Sequence, residues 1–100
     1  MEISWREDKA RRNQQKHKLP FTLAAEVFAD PFAVTTFDRH ERGEERWHTI
    51  GCIVQGRQFK LVLVVHAYPD PDDEAWVQII SLRDATTHER RTYETQLRNA

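Results

Sequence analysis

The sequence predicts an α+β fold: two N-terminal helices, a three- or four-stranded antiparallel sheet, and a C-terminal helix. Three observations carry that prediction. Residues 58–66 place Phe59, Leu61, Leu63 and Val65 on one face and Val62 and Val64 on the other, the pattern of a central strand buried on both sides. The connection Gln55-Gly56-Arg57 has the length and the glycine of a hairpin, joining that strand to residues 46–54. Thr86-Thr87-His88-Glu89 reads as a capping box, in which the threonine hydroxyl caps a backbone N–H while the glutamate reaches back, opening a helix over 87–97.

The elements follow in order. Residues 7–18 are good helix formers with Asn13 as the weak spot, yet Ala10 is their only apolar residue. At helical spacing Lys9, Asn13, Lys16 and His17 share one face, where an ordinary amphipathic helix carries apolar side chains. Such a helix is held by its ends or by hydrogen bonds, or it serves a ligand. Trp5, Leu19 and Phe21 are its expected anchors, and Pro20 ends it. Residues 22–30 form a second short helix, with Thr22 as N-cap and Leu23, Val27 and Phe28 toward the core, broken by Asp30-Pro31. The β-branched segment 33–37 is a first strand and 38–45 a charged turn containing Gly43. After the central hairpin come an acidic loop over 67–74 and a last strand over 75–82.

At 100 residues, 39% of them hydrophobic, the chain has the size of one domain spanning 1–100. The lone cysteine, Cys52, excludes an intramolecular disulfide and a Cys-based zinc site, and it falls inside a strand as a small core residue. The histidines His17, His40, His48, His66 and His88 lack metal-ligand spacing, so neither a metal nor a cofactor is expected. A Gly-rich phosphate loop, a His-x-x-x-His pair and a Gly-x-Ser-x-Gly elbow are absent. Residues 1–18 hold no apolar signal-peptide core and the longest apolar run is 61–65, so a cytoplasmic protein without a membrane span is expected. Net charge is −1, unevenly spread: basic residues dominate 1–20 and 86–100, acidic ones 61–85. A fold that brings both basic ends together makes one basic face; otherwise these are ordinary solvated surfaces.

Several polar residues stand at element ends, where sites are commonly assembled. His66 ends the central strand, Arg83 the last strand, and Lys16-His17 the first helix; Arg90, Tyr93 and Glu94 lie on the C-terminal helix. Guanidinium, ammonium, imidazole and phenol groups together suit a phosphodiester, and RNA supplies its own 2′-OH nucleophile. Each also has a structural reading. His66 is then a hydrogen-bonded strand-end residue, Arg90–Glu94 an i,i+4 surface pair, Tyr93 a core ring with its hydroxyl at the surface, and Lys16-His17 a solvated helix end. Trp5, Trp47 and Trp76 read as core, with Trp76 alternatively an interface anchor beside the acidic loop.

The order and spacing of Trp5, Lys9, Asn13, Lys16-His17, Phe21, Phe28, Asp30-Pro31, Asp38, Gly43-Glu44-Glu45-Arg46, Ile50-Gly51, Ile79-Ile80-Ser81, Arg83, Ala85-Thr86, Glu89-Arg90 and Tyr93-Glu94 resemble the BrnT family of bacterial type II toxins. The resemblance implies a RelE-like ribonuclease-toxin fold, RNA cleavage that arrests translation, and a BrnA-like antitoxin. That antitoxin neutralises the toxin and binds operator DNA, which the toxin reaches only through it; a toxin dimer within the complex is a further expectation. Catalysis is expected of His66, Arg83, Arg90 and Tyr93, and RNA binding of Lys9, Lys16, His17 and Arg46. Arg83 and Tyr93 are similar in placement to the arginine and aromatic positions of RelE-like sites. Lys18 stands where the family usually has glycine, and Gln78 where a basic residue is common. The competing expectation is a catalytically weak protein-interaction or nucleic-acid-binding module of the same fold.

Overall fold

Residues 61–67 are buried apart from half-buried Val65, and this doubly apolar strand takes the centre of the sheet. A computed structural model describes residues 1–100. In chain order it comprises β1 (Glu2–Trp5), α1 (Glu7–His17), a 3-10 turn (Phe21–Leu23), α2 (Ala24–Ala29), β2 (Val34–Glu41), β3 (Glu44–Gln55), β4 (Gln58–Ala67), β5 (Trp76–Asp84) and α3 (Thr87–Arg98). The strand order is β1-β5-β4-β3-β2.

The α+β class and the helix order agree with the sequence reading, and the sheet corrects it. There are five strands rather than three or four, and β1 runs parallel to β5 while all other pairs are antiparallel. β1 was invisible because four residues with Ile3 and Trp5 alternating are too short for a period to register. The charged stretch 38–45 is not a turn. β2 runs to Glu41, β3 starts at Glu44, and only Arg42 and Gly43 turn, both at positive φ (52° and 78°) as a two-residue type I′ connection requires. Thr22 lies within the 3-10 turn and caps nothing; Pro20 precedes that turn instead.

The sheet has two unlike faces. On one, Val62, Val64, Ile53, Val77, Ile79 and Leu82 pack with Leu19, Phe21, Ala24 and Val27 from the α2 region. Full burial of each such aliphatic side chain contributes about 1.5–3 kcal/mol. The approach is close: a Cβ on Gly51 would sit 2.6 Å from the Val27 carbonyl oxygen, so the α2 backbone rests directly on β3. On the other face Ile50, Leu61 and Leu63 pack under Tyr93 of α3.

The polar helix α1 is held by hydrogen bonds. Asn13, on the polar stripe of the helix, is buried. Its Nδ2 donates to the Leu19 carbonyl at 2.9 Å, and its Oδ1 accepts the Leu82 N–H at 2.9 Å. The register of β1 on β5 ends at Ile79, so beyond it α1 satisfies the free edge of β5 in place of a strand. Trp76 is tied in similarly, its indole N–H donating to Ser4 Oγ at 3.1 Å.

Candidate functional site

The register sorts the α3 side of the sheet into rows. Ile50, Leu63 and Arg83 align, as do His48, Val65 and Ser81. α3 seals the apolar end through Tyr93, while Arg46, His48, Val65, Gln78, Ile80 and Ser81 stay only half-buried. A bulge between Val65 and His66, facing Ile79 to Ser81 of β5, inserts Ile80 into this open part. A cavity of about 250 Å³ runs between α1 and β5, lined by Lys9, Arg12, Asn13, Lys16, His17, Ile80 and Ser81. A second, of about 300 Å³, shares Lys9 and Ile80 with it and adds Arg6, Arg42, Arg46 and Gln78 among its walls. The expected RNA-binding residues Lys9, Lys16, His17 and Arg46 therefore border two adjoining cavities, the second of which also has Glu41 and Glu44 in its wall.

The cations differ in how free they are. Lys9, Lys16 and His17 make no ion pair within the chain, and Arg90 is exposed without one; the alternative reading of Arg90 and Glu94 as an i,i+4 surface pair finds no such contact. Arg46 reaches Glu41 at 3.6 Å and Glu44 at 3.5 Å, with its buried Nε making no hydrogen bond. Arg83 is held tightly: Nη1 and Nη2 donate to the two Glu89 carboxylate oxygens at 2.7 and 2.8 Å. Glu89 is also the predicted capping-box residue, accepting the Thr86 N–H at 2.9 Å while its own N–H donates to Thr86 Oγ1. The Arg83 hydrogen bond, against the opposing effect of burial, holds Glu89 down at about 2. The same contact raises Arg83, to which the Asp38 charge adds.

Beside Arg83 lies a pair that sequence reading did not join. Asp38 Oδ2 on β2 stands 3.4 Å from His48 Nε2 on β3, with the two side chains 27% and 22% exposed. Strand alternation could have placed His48 on the Arg46 face, but the pairing needs β2 to extend through Asp38, in the stretch read as a turn.

Two expected catalytic groups lie elsewhere. The strand does not end at His66, and counting alternation from Val62 and Val64 puts its ring on the opposite face, under Phe28 and Tyr68 at centroid distances of 5.2 and 5.3 Å. His66 is 0% exposed. Its Nε2 hydrogen-bonds Thr49 Oγ1 at 2.7 Å, and Thr49 in turn bonds Thr35 at 2.7 Å. Burial, with a smaller contribution from His48, depresses it to about 4, so near neutral pH it is uncharged. Tyr93 is 7% exposed rather than open to a substrate. Its hydroxyl donates to Asp30 Oδ2 at 2.7 Å, the oxygen that also accepts the Cys52 N–H at 2.8 Å. Burial and the Asp30 carboxylate push the phenol up, fixing it as a donor that pins α3 to the end of α2.

A family model described as the ribonuclease toxin BrnT of a type II toxin–antitoxin system matches residues 5–89. No curated protein matches the chain. The matched span takes in α1, the whole sheet apart from the first residues of β1, and the Arg83–Glu89 clasp, so the chain belongs to the BrnT family of ribonuclease toxins of type II toxin–antitoxin systems.

Proposed function

We propose that this BrnT-family chain cleaves RNA without a metal cofactor, acting as one RelE-like domain over 1–100 to inhibit translation in the cytoplasm. The observation that carries the reading is the pair of adjoining cavities between α1 and the uncovered half of the sheet, walled by Lys9, Lys16 and His17 without ion pairs and by Arg46 beside Glu41 and Glu44. Phosphodiester binding uses these, with Arg90 at the rim. Arg83 stabilises the charge that develops at phosphorus, its guanidinium already oriented by Glu89. His66 and Tyr93 serve from inside, supporting β3 beneath the site and the seat of α3. No three His, Cys, Asp or Glu side chains converge as metal ligands. A BrnA-like antitoxin neutralises the toxin by covering the same cavities and carries it, as a dimer in the complex, to operator DNA.

Purified protein incubated with RNA in excess EDTA is expected to yield products with 2′,3′-cyclic phosphate ends. Activity lost on chelation and restored by magnesium would refute the metal-free reaction. The engagement of Arg83 by Glu89 and of Tyr93 by Asp30 favours a second reading, a catalytically weak interaction module. Inert protein that still binds the antitoxin would establish it.

A further inference from the structure

Among the five histidines, His48 has the surroundings of a working base. His66 is sealed, His40 is 69% exposed at 3.9 Å from Glu45 on the outer hairpin, and neither His17 at the end of α1 nor His88 on α3 has a carboxylate in ion-pair range. His48 is sheltered but reachable, has a carboxylate at 3.4 Å, and shares its sheet face with Arg46 and with Arg83 one row away. We propose that His48 is the general base of RNA cleavage in this chain and that Asp38 is its positioning residue. This rests on the ribonuclease reading above and names the group that moves the proton.

The geometry sets the roles. A carboxylate at Nε2 favours the tautomer with hydrogen on that nitrogen, which leaves Nδ1 as the acceptor. A separation of 3.4 Å is long for a hydrogen bond, and such contacts tighten when substrate fills the site. The charged groups around the ring are Asp38 on β2, itself 3.6 Å from Arg39, Arg46 on β3, and Arg83 on β5 clasped to Glu89 of α3; β4 contributes Val65 opposite and the buried His66 next to it, which feels the His48 charge from the other face. Arg83 stands one row from His48 on the same sheet face, and the Asp38 charge adds to the raising of its pKa.

In the reaction, His48 Nδ1 takes the proton of the 2′-OH and O2′ bonds to phosphorus. The P–O5′ bond breaks, O5′ takes a proton from water, and imidazolium returns its proton to the hydroxide so formed. The products are a 2′,3′-cyclic phosphate and a 5′-hydroxyl, with no net proton change.

The test is the cleavage rate of an end-labelled mixed-sequence RNA oligonucleotide from about pH 5 to about pH 8, for the wild type, His48→Gln and Asp38→Asn. Binding of the uncleavable 2′-deoxy oligonucleotide is measured alongside. The wild-type rate is expected to rise with pH across the histidine range. His48→Gln is expected to slow cleavage by about 100-fold or more and abolish that rise, with deoxy-oligonucleotide affinity unchanged. Asp38→Asn should slow it less and displace the rise. A folded His48→Gln that cleaves at the wild-type rate with the wild-type profile overturns the proposal. If that variant does not fold, an unmoved profile in Asp38→Asn overturns it instead. Wild-type protein inert at every pH removes the ribonuclease reading itself and this proposal with it, a result distinct from active wild type with an indifferent His48.

Discussion

His66 and His48 sit on neighbouring strands, paired to adjacent positions, and end in opposite environments. His66 shares its face with Val62 and Val64, where α2 and Phe28 close over the sheet and leave its Nδ1 without a partner. His48 shares its face with Arg46 and Ser81, where α3 has stopped covering and α1 stands aside. The residue type is the same; a single step of strand parity decides whether the imidazole braces a core or stays partly exposed beside a carboxylate. The closed face is bound by apolar contact and one threonine chain, the open face by charge pairs that a phosphate could rearrange. Each of the following substitutions pushes on one side of that contrast.

The largest effect is expected at Arg83. Arg83→Ala should lower the cleavage rate by about 10²–10³, on the order of 2.7–4 kcal/mol of transition-state stabilisation. It should also loosen the start of α3, since Glu89 loses both guanidinium bonds. Glu89→Gln separates the roles: it keeps a side chain able to cap Thr86 while freeing the guanidinium, and should retain most activity at reduced thermal stability. Rates and melting curves of the two variants decide it. An Arg83→Ala protein that is folded and fully active would make the arginine a helix brace alone.

Next is the closed face. Gly51→Ala forces a methyl against the Val27 carbonyl and should cost about 1–3 kcal/mol in urea unfolding, by separating α2 from β3. Ser81→Ala on the open face should change stability by no more than about 0.5 kcal/mol. Equal costs would erase the contrast in packing.

Acid titration sharpens it further. His66 has an ordinary value of 6.5 and is held near about 4. Between those values the unfolded chain binds a proton that the folded chain refuses, so stability falls as pH drops from 6.5 toward 4. Glu89 is depressed from 4.5 to about 2, so its contribution, complete above 4.5, is lost as pH falls from there toward 2. Denaturation followed against pH should therefore show two successive losses. His66→Gln keeps a polar partner for Thr49 and should remove only the upper one. Persistence of that upper loss in His66→Gln would assign it to another group.

The legible parts of the molecule are those whose cause is local in sequence. The capping box at Thr86, the hairpin at Gly56 and the double burial of β4 each follow from a few adjacent residues. What stayed hidden depends on distant chain. β1 exists because β5 offers Glu2 to Trp5 an edge. Asn13 is interior because Leu19 and Leu82, 6 and 69 residues away, supply its partners. For the site, the cations lining α1 were readable from helical spacing, and the face of His66 from its alternation with Val62 and Val64, whereas the closure of Phe28 over that face depends on α2. The Asp38–His48 pair turned on a turn only two residues long.

The smallest change with a stabilising sign is expected at Lys18, a non-glycine residue at positive φ. Lys18 ends α1 at φ 59° and ψ 27°, its N–H donating to the Gln14 carbonyl as a left-handed cap does. A lysine there carries about 1–2 kcal/mol of steric cost that glycine avoids. Glycine in turn adds unfolded-state entropy of roughly 0.4–1 kcal/mol, so the net gain from Lys18→Gly should be about 0.5–1 kcal/mol. For a chain of this length that corresponds to a rise in melting temperature of about 4 °C. Lys18 lies outside both cavity linings, so RNA cleavage should not change. A melting temperature that falls would mean the lysine side chain holds the helix end by a contact worth more than the strain. A drop in cleavage at unchanged stability would extend the basic site past His17 to the first turn beyond α1.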